Sequence, residues 1–92
     1  LSNKASNKAV IFDSQFRDDL RWWFRKDKKV SERILNLIEA TILNPTEGIG
    51  KPEHLKYLPG STWSRRITQE HRLVYQISSD KIIFLQCRYH YS

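Results

Sequence analysis

The first half of the chain changes its hydrophobic period twice. Residues 9–12, Ala-Val-Ile-Phe, are a short apolar run of strand character. Phe16, Leu20, Trp23 and Phe24 then recur at i, i+4, i+7 and i+8, the spacing of one apolar helix stripe. Asp13 or Ser14, just ahead of it, can cap that helix. A second stripe, Ile34, Leu37, Ile38, Thr41 and Ile42, predicts a helix over residues 30–43. Pro45 closes it, because the residue before a proline is pushed out of helical geometry. The polar run Lys26-Asp27-Lys28-Lys29 is expected to link the two helices.

Past Pro45 the period falls to two. Gly48, Gly50 and Pro52 mark residues 46–53 as a loop, residues 54–58 as a short strand, and Pro59-Gly60 as a turn. Trp63, Arg65 and Ile67 alternate with Ser64, Arg66 and Thr68. After a turn at residues 69–71, Leu73, Tyr75 and Ile77 alternate with Arg72, Val74 and Gln76. A turn at residues 78–80 leads to a last strand over residues 81–89. The pattern is that of an α+β fold: strand, two-helix hairpin, then a mostly antiparallel C-terminal sheet. Residues 9–92 read as one domain, and residues 1–8 as a polar tail, native or appended.

Composition narrows the partners. Sixteen Lys and Arg against ten Asp and Glu give a net charge of +6, which suits an acidic partner such as RNA, DNA or an acidic protein surface. The imbalance is greater in residues 51–92, with seven basic and three acidic side chains, than in residues 1–50, with nine and seven. Cys87 is the only cysteine, so no disulfide within the chain and no thiolate cluster is expected. Its apolar neighbours suit a buried structural thiol. The apolar runs are too short to span a membrane, no signal-peptide pattern is present, and the cytoplasm is the expected compartment.

If Ile67, Leu73, Tyr75 and Ile77 face the core, Arg66 and Arg72 share the opposite face, where two planar guanidiniums suit phosphate. A merely solvated strand face would carry the same residues. Glu53 lies in a loop between Lys51 and Lys56, which favour its ionised form; an ordinary exposed carboxylate would look alike. His90 stands between two tyrosines and by strand parity joins Arg88 and Gln86, although a solvated terminus would place it equally well. Together these groups match metal-free RNA cleavage. Glu53 can take the proton of a ribose 2′-OH, Arg72 and Arg66 can stabilise the phosphorane, and His90 can protonate the departing 5′-oxygen. Tyr91 can stack on a base or orient the phosphate. Lys51, Lys56, Arg65, Arg66 and Arg88 are expected to support RNA binding. His71, beside Glu70 in a turn, reads as a structural hydrogen-bonder. No phosphate-binding loop, nucleophile elbow or metal-ligand spacing occurs, so no cofactor or metal is expected.

Three motifs carry a resemblance: Gly50-Lys51-Pro52-Glu53-His54-Leu55-Lys56, Trp63-Ser64-Arg65-Arg66-Ile67-Thr68-Gln69-Glu70-His71-Arg72-Leu73-Val74-Tyr75, and Cys87-Arg88-Tyr89-His90-Tyr91. In that order and spacing they resemble the Txe/YoeB family within the RelE-like toxins of bacterial toxin–antitoxin systems. The resemblance covers residues 9–91. It implies a RelE-like microbial RNase fold and cleavage of mRNA in the A site of the 70S ribosome. By motif, Glu53 matches the general base, Arg72 the phosphate-stabilising arginine, His90 the general acid and Tyr91 the tyrosine that assists it, while Arg66 and Lys56 match supporting positions. The implied partners are a YefM-like antitoxin of the Phd type, operator DNA only through that antitoxin, and a second copy in a homodimer. The glycine of residues 57–62 is placed differently from the family pattern, Ser92 follows the usual last tyrosine, and the tail before Ala9 is additional.

A binding module that blocks the ribosome without cutting RNA has the same charge requirement. A regulator that binds DNA alone is disfavoured, since both helical stripes look committed to packing.

Overall fold

The computed structural model describes residues 8–89. The expected tail falls outside them except for Lys8, whose Nζ donates to the carbonyls of Ser78 and Ser79 at 2.7 and 3.1 Å. His90, Tyr91 and Ser92 also lie outside the described residues.

The elements are β1 (Ala9–Phe12), α1 (Ser14–Lys26), α2 (Lys28–Leu43), β2 (Glu53–His54), β3 (Ser61–Arg66), β4 (Arg72–Ile77) and β5 (Lys81–Gln86). The strands form one five-stranded sheet in the order β1-β5-β4-β3-β2. β1 runs parallel to β5 and every other pair is antiparallel. This is the expected α+β order, with the helical hairpin packed on one face of the sheet.

Asp13 caps α1 by accepting from the Gln15 N–H. The link between the helices is shorter than the charge run suggested. Asp27 alone breaks the helical path, in extended geometry, while Lys26 closes α1 and Lys28 opens α2. Its N–H donates to the Trp23 carbonyl at 2.8 Å and its carboxylate accepts from the Lys29 N–H at 3.1 Å. One residue thus ends one helix and caps the next, and its negative charge suits the N-terminus of α2.

The core gathers Phe16 and Trp23 of α1, Ile34, Leu37 and Ile38 of α2, and Ile67, Leu73, Tyr75, Ile82, Phe84 and Cys87 from the sheet side. Phe12, Phe16 and Phe84 stack with centroid separations of 5.4–5.7 Å, which ties β1, α1 and β5 together. Such aromatic pairs add about 0.5–1.5 kcal/mol each beyond their buried area. The α1 stripe differs from its expected form. Phe24 is 44% exposed, whereas Asp19, three residues after Phe16, is buried. Its carboxylate accepts from the Cys87 N–H at 3.0 Å and from Gln15 Nε2 at 2.8 Å, which satisfies the buried charge.

β5 ends at Gln86, three residues earlier than the pattern suggested. A bulge where β4 and β5 pass Val74 and Tyr75 disturbs the ladder. Residues 87–89 leave it to bond with α1 and with the turn before β4. Strand parity therefore does not carry on from Gln86 to Arg88. Likewise β2 is two residues long and begins at Glu53, where the sequence suggested residues 54–58. No helix among the described residues is long and apolar enough to cross a membrane.

Candidate active site

Register decides which side chains share a face. Arg66 pairs directly with Arg72, Ser64 with Val74, and Glu53 with Ser64. Residues opposite one another in an antiparallel ladder point the same way, as do residues two apart on one strand. Glu53, Ser64, Arg66, Val74 and Arg72 therefore occupy the face away from the helices, while Arg65, Leu73 and Tyr75 face them. Strand spacing and rise put the Cα atoms of Glu53 and Arg66 about 8 Å apart, and those of Glu53 and Arg72 about 12 Å apart. All three side chains are long enough to reach into that gap.

Two guanidiniums opposite one another repel, at a cost of a few tenths of a kcal/mol to about 1 kcal/mol. Among the described residues neither has a carboxylate within ion-pairing distance. Arg72 is steadied by carbonyls instead, its Nη1 donating to Thr68, Gln69 and His71 at 2.9–3.1 Å. Arg66 is fixed through its backbone. Its N–H donates to the Gly50 carbonyl at 2.6 Å, and its carbonyl accepts from Arg33 Nη2 of α2 at 3.0 Å. A cation pair on one sheet face, without a carboxylate partner among the described residues, is an arrangement that can receive an anion.

Arg65 does not belong to this surface, contrary to the expectation that it supports RNA binding. It is fully buried. Nη1 donates to the Ile49 carbonyl at 2.8 Å, Nη2 to the carbonyls of Asn44 and Glu47, and Nε to the Tyr75 hydroxyl at 3.2 Å. The Tyr75 hydroxyl donates onward to the Pro45 carbonyl at 2.7 Å. Burial raises the Tyr75 pKa, an effect that the Arg65 bond and charge partly offset. This network ties residues 44–49 to the sheet and so shapes the loop that delivers Glu53.

Gly50 completes that loop at φ +85°, where a Cβ would lie 2.8 Å from Leu37 Cδ2 and 3.1 Å from Arg65 Cβ. Gly50→Ala is expected to destabilise the fold by about 2–3 kcal/mol, through the left-handed backbone together with overpacking. Urea unfolding checks this, and a loss under 0.5 kcal/mol, a negligible change for one residue, would show the loop to be adaptable.

Lys51 and Lys56 are exposed on either side of Glu53, itself exposed. Lys51 has φ +51° and Lys56 sits in the turn after β2. His54 stacks on Trp63 with centroids 5.1 Å apart. Arg88 also departs from the expected polar face. Its guanidinium lies 3.6 Å from the Trp22 ring centroid, and it lines a recess with Gln15, Asp19, Gln86 and Tyr89 beside α1. Gln86 lines the same recess, its Nε2 donating to the Arg88 carbonyl at 3.1 Å. Cys87 is buried, and burial followed by the nearby Asp19 charge pushes its thiol pKa well up, which leaves no thiolate nucleophile at neutral pH. The proposed acid His90 and its neighbour Tyr91 fall outside the described residues.

Asp19 escaped sequence reasoning, whereas His71 is the structural hydrogen-bonder that its turn position suggested, with a partner the sequence did not name. Asp19 anchors the Cys87 N–H, and its signal was an acid at a core spacing between Phe16 and Trp23. His71 bonds Tyr89, a contact between distant residues that no local pattern discloses.

A family model described as a YoeB-like toxin of bacterial type II toxin–antitoxin systems matches residues 12–91. Toxin YoeB of Escherichia coli K12 is 45% identical over 82 residues, covering 89% of this chain and 98% of that protein. The YoeB dimer of Staphylococcus aureus superposes with a TM-score of 0.81 at 40% identity, covering 92% of this chain and 99% of its own. A heterotetrameric YoeB–YefM toxin–antitoxin complex from the same organism gives 0.78 at 41%, covering 91% and 98%. YafQ, 16% identical in its complex with DinJ, shares the fold at a TM-score of 0.66. With the shared sheet, the near-complete coverage and the retained motifs in agreement, the chain belongs to the YoeB-like toxins of bacterial type II toxin–antitoxin systems.

Proposed function

We propose that this toxin is a metal-independent, ribosome-dependent endoribonuclease that cuts mRNA in the A site of the 70S ribosome and so stops translation in the cytoplasm. The observation that carries the reading is the placement of Glu53, Arg66 and Arg72 on one sheet face, with no carboxylate partner for the arginines among the described residues. Glu53 accepts the 2′-OH proton, and the 2′-oxygen attacks the adjacent phosphorus. Arg72 and Arg66 stabilise the charge that builds on the phosphoryl oxygens. The 5′-oxygen leaves with a proton from His90, whose ordinary pKa of about 6.5 leaves it readily protonated near neutrality. The products are a 2′,3′-cyclic phosphate and a 5′-hydroxyl end. Tyr91 assists the acid, while Lys51 and Lys56 hold the RNA backbone beside the base. By likeness to the Staphylococcus aureus complexes, the toxin is neutralised by a YefM-type antitoxin and forms homodimers. Operator DNA is then reached only through the antitoxin.

Cell-free bacterial translation of a defined mRNA, with new RNA ends mapped, tests the scheme. Wild type should cut within A-site codons, and His90→Ala and Glu53→Gln should each reduce cutting at least about a hundredfold, the lower end of the range for one acid–base group. Ribosome binding by Glu53→Gln should change by less than threefold. Inhibited translation with intact mRNA in every sample would instead identify a ribosome-blocking protein.

A further inference from the structure

The last described residues are fastened by groups that the proposed reaction does not use. The Cys87 carbonyl accepts from Trp23 Nε1 at 2.8 Å, and its N–H is held by Asp19. Two residues on, Tyr89 adopts φ +60°. That left-handed conformation costs a bulky residue roughly 1–2 kcal/mol, so it needs support from its surroundings. The support comes from two adjacent residues. The Tyr89 N–H donates to His71 Nδ1 at 2.7 Å, and the Tyr89 carbonyl accepts from the backbone N–H of Arg72 at 2.9 Å. The imidazole is itself held. It meets Trp23 edge to face at 4.9 Å and lies against the Tyr89 ring at 5.3 Å. An Nδ1 that accepts an N–H carries no proton, so the ring bears its hydrogen on Nε2.

We propose that His71 is a positioning residue for the acid end of the chain: its Nδ1 holds Tyr89, the residue that precedes the proposed acid His90, in the left-handed conformation. The inference rests on the proposed function, since it gives His90 a task that requires placement. Because Arg72 holds the other backbone group of Tyr89, the arginine that steadies the phosphoryl oxygens and the segment that leads to the acid share one anchor. Misplacing a reacting group by 1 Å can cost about a hundredfold in rate, so one bond at this point has leverage on chemistry.

The test compares full-length wild type, His71→Leu and His71→Asn. The Asn Oδ1 occupies nearly the place of the imidazole Nδ1 and can accept the same N–H, whereas Leu cannot. Two quantities are read: hydrogen exchange of the Tyr89 amide by NMR, and single-turnover mRNA cleavage on programmed ribosomes over a range of toxin concentrations. His71→Leu should speed Tyr89 exchange at least tenfold. Its saturating cleavage rate should fall by about 30–100-fold, with the half-saturating concentration within threefold of wild type. His71→Asn should restore slow exchange and bring the rate within about fivefold of wild type. Unchanged Tyr89 exchange in His71→Leu overturns the proposal. So does equal loss in both variants, a loss confined to the half-saturating concentration, or fast exchange with undiminished cleavage. If wild type leaves mRNA intact while His71 still protects Tyr89, the catalytic reading itself has failed and the positioning role goes with it.

Discussion

Arg65→Met should lower the unfolding free energy by about 3–5 kcal/mol, the range for removing one partner of a buried charged network. The substitution fills much of the volume but strands the carbonyls of Asn44, Glu47 and Ile49 and the Tyr75 hydroxyl. Each orphaned buried group costs about 1–3 kcal/mol, less where water can enter near the loop surface. For a domain of this size the melting temperature should fall by roughly 15–30 °C. Arg65→Lys should recover little, because one ammonium cannot span acceptors that a planar fork reaches on several sides. Thermal and urea unfolding followed by circular dichroism measure both variants. A methionine variant within 1 kcal/mol of wild type, the worth of a single ordinary hydrogen bond, would show that residues 44–49 hold their shape without the guanidinium.

Arg72→Ala should slow single-turnover cleavage by about 10²–10³-fold, the usual consequence of removing one donor that stabilises transition-state charge. Ribosome affinity should fall much less, since Arg66, Lys51 and Lys56 still attract the RNA. Arg72→Lys should lie between, with its charge kept and its fork lost. Stability must be measured alongside, because Arg72 Nη1 also holds the turn carbonyls of Thr68, Gln69 and His71. That part of the loss should be about 1–2 kcal/mol and should not alter the saturating rate of the folded fraction. Cleavage by Arg72→Ala at the wild-type rate would remove this residue from the chemistry.

Period placed the helices and put Arg66 and Arg72 on one face, because each depends on which face a residue occupies, and the apolar neighbours of Cys87 announced its burial. The failures came where a side chain was asked for more than its face. Arg65 has core parity in the sequence, yet its charge suggested a surface role; only the carbonyls of residues 44–49, brought over it by the loop, make its burial tolerable. Phe24 fits the α1 stripe by spacing, but Asp19 takes the inner position because the departing Cys87 N–H needs an acceptor there. The strand character of residues 87–89 is apparent only. At Tyr89 the backbone turns left-handed, a choice made by His71 from across the structure. The four-residue charge run contracts to Asp27 because one extended residue with a carboxylate suffices to stop and restart a helix.

The sheet order carries a consequence for how the molecule comes into being. β5 lies between β1 and β4, so the first and last strands of the described chain are neighbours. On a polypeptide still emerging from its own ribosome, β1 and the β2–β4 meander have no strand to join them until residues 81–86 are available. Pairing between such distant segments is slow to form, because the intervening chain must be ordered first. Closure of the five-stranded sheet thereby waits for β5. A product that stops before β5 would lack the strand that joins β1 to β4 and the Cys87 anchor on α1, and would be exposed to proteases and aggregation.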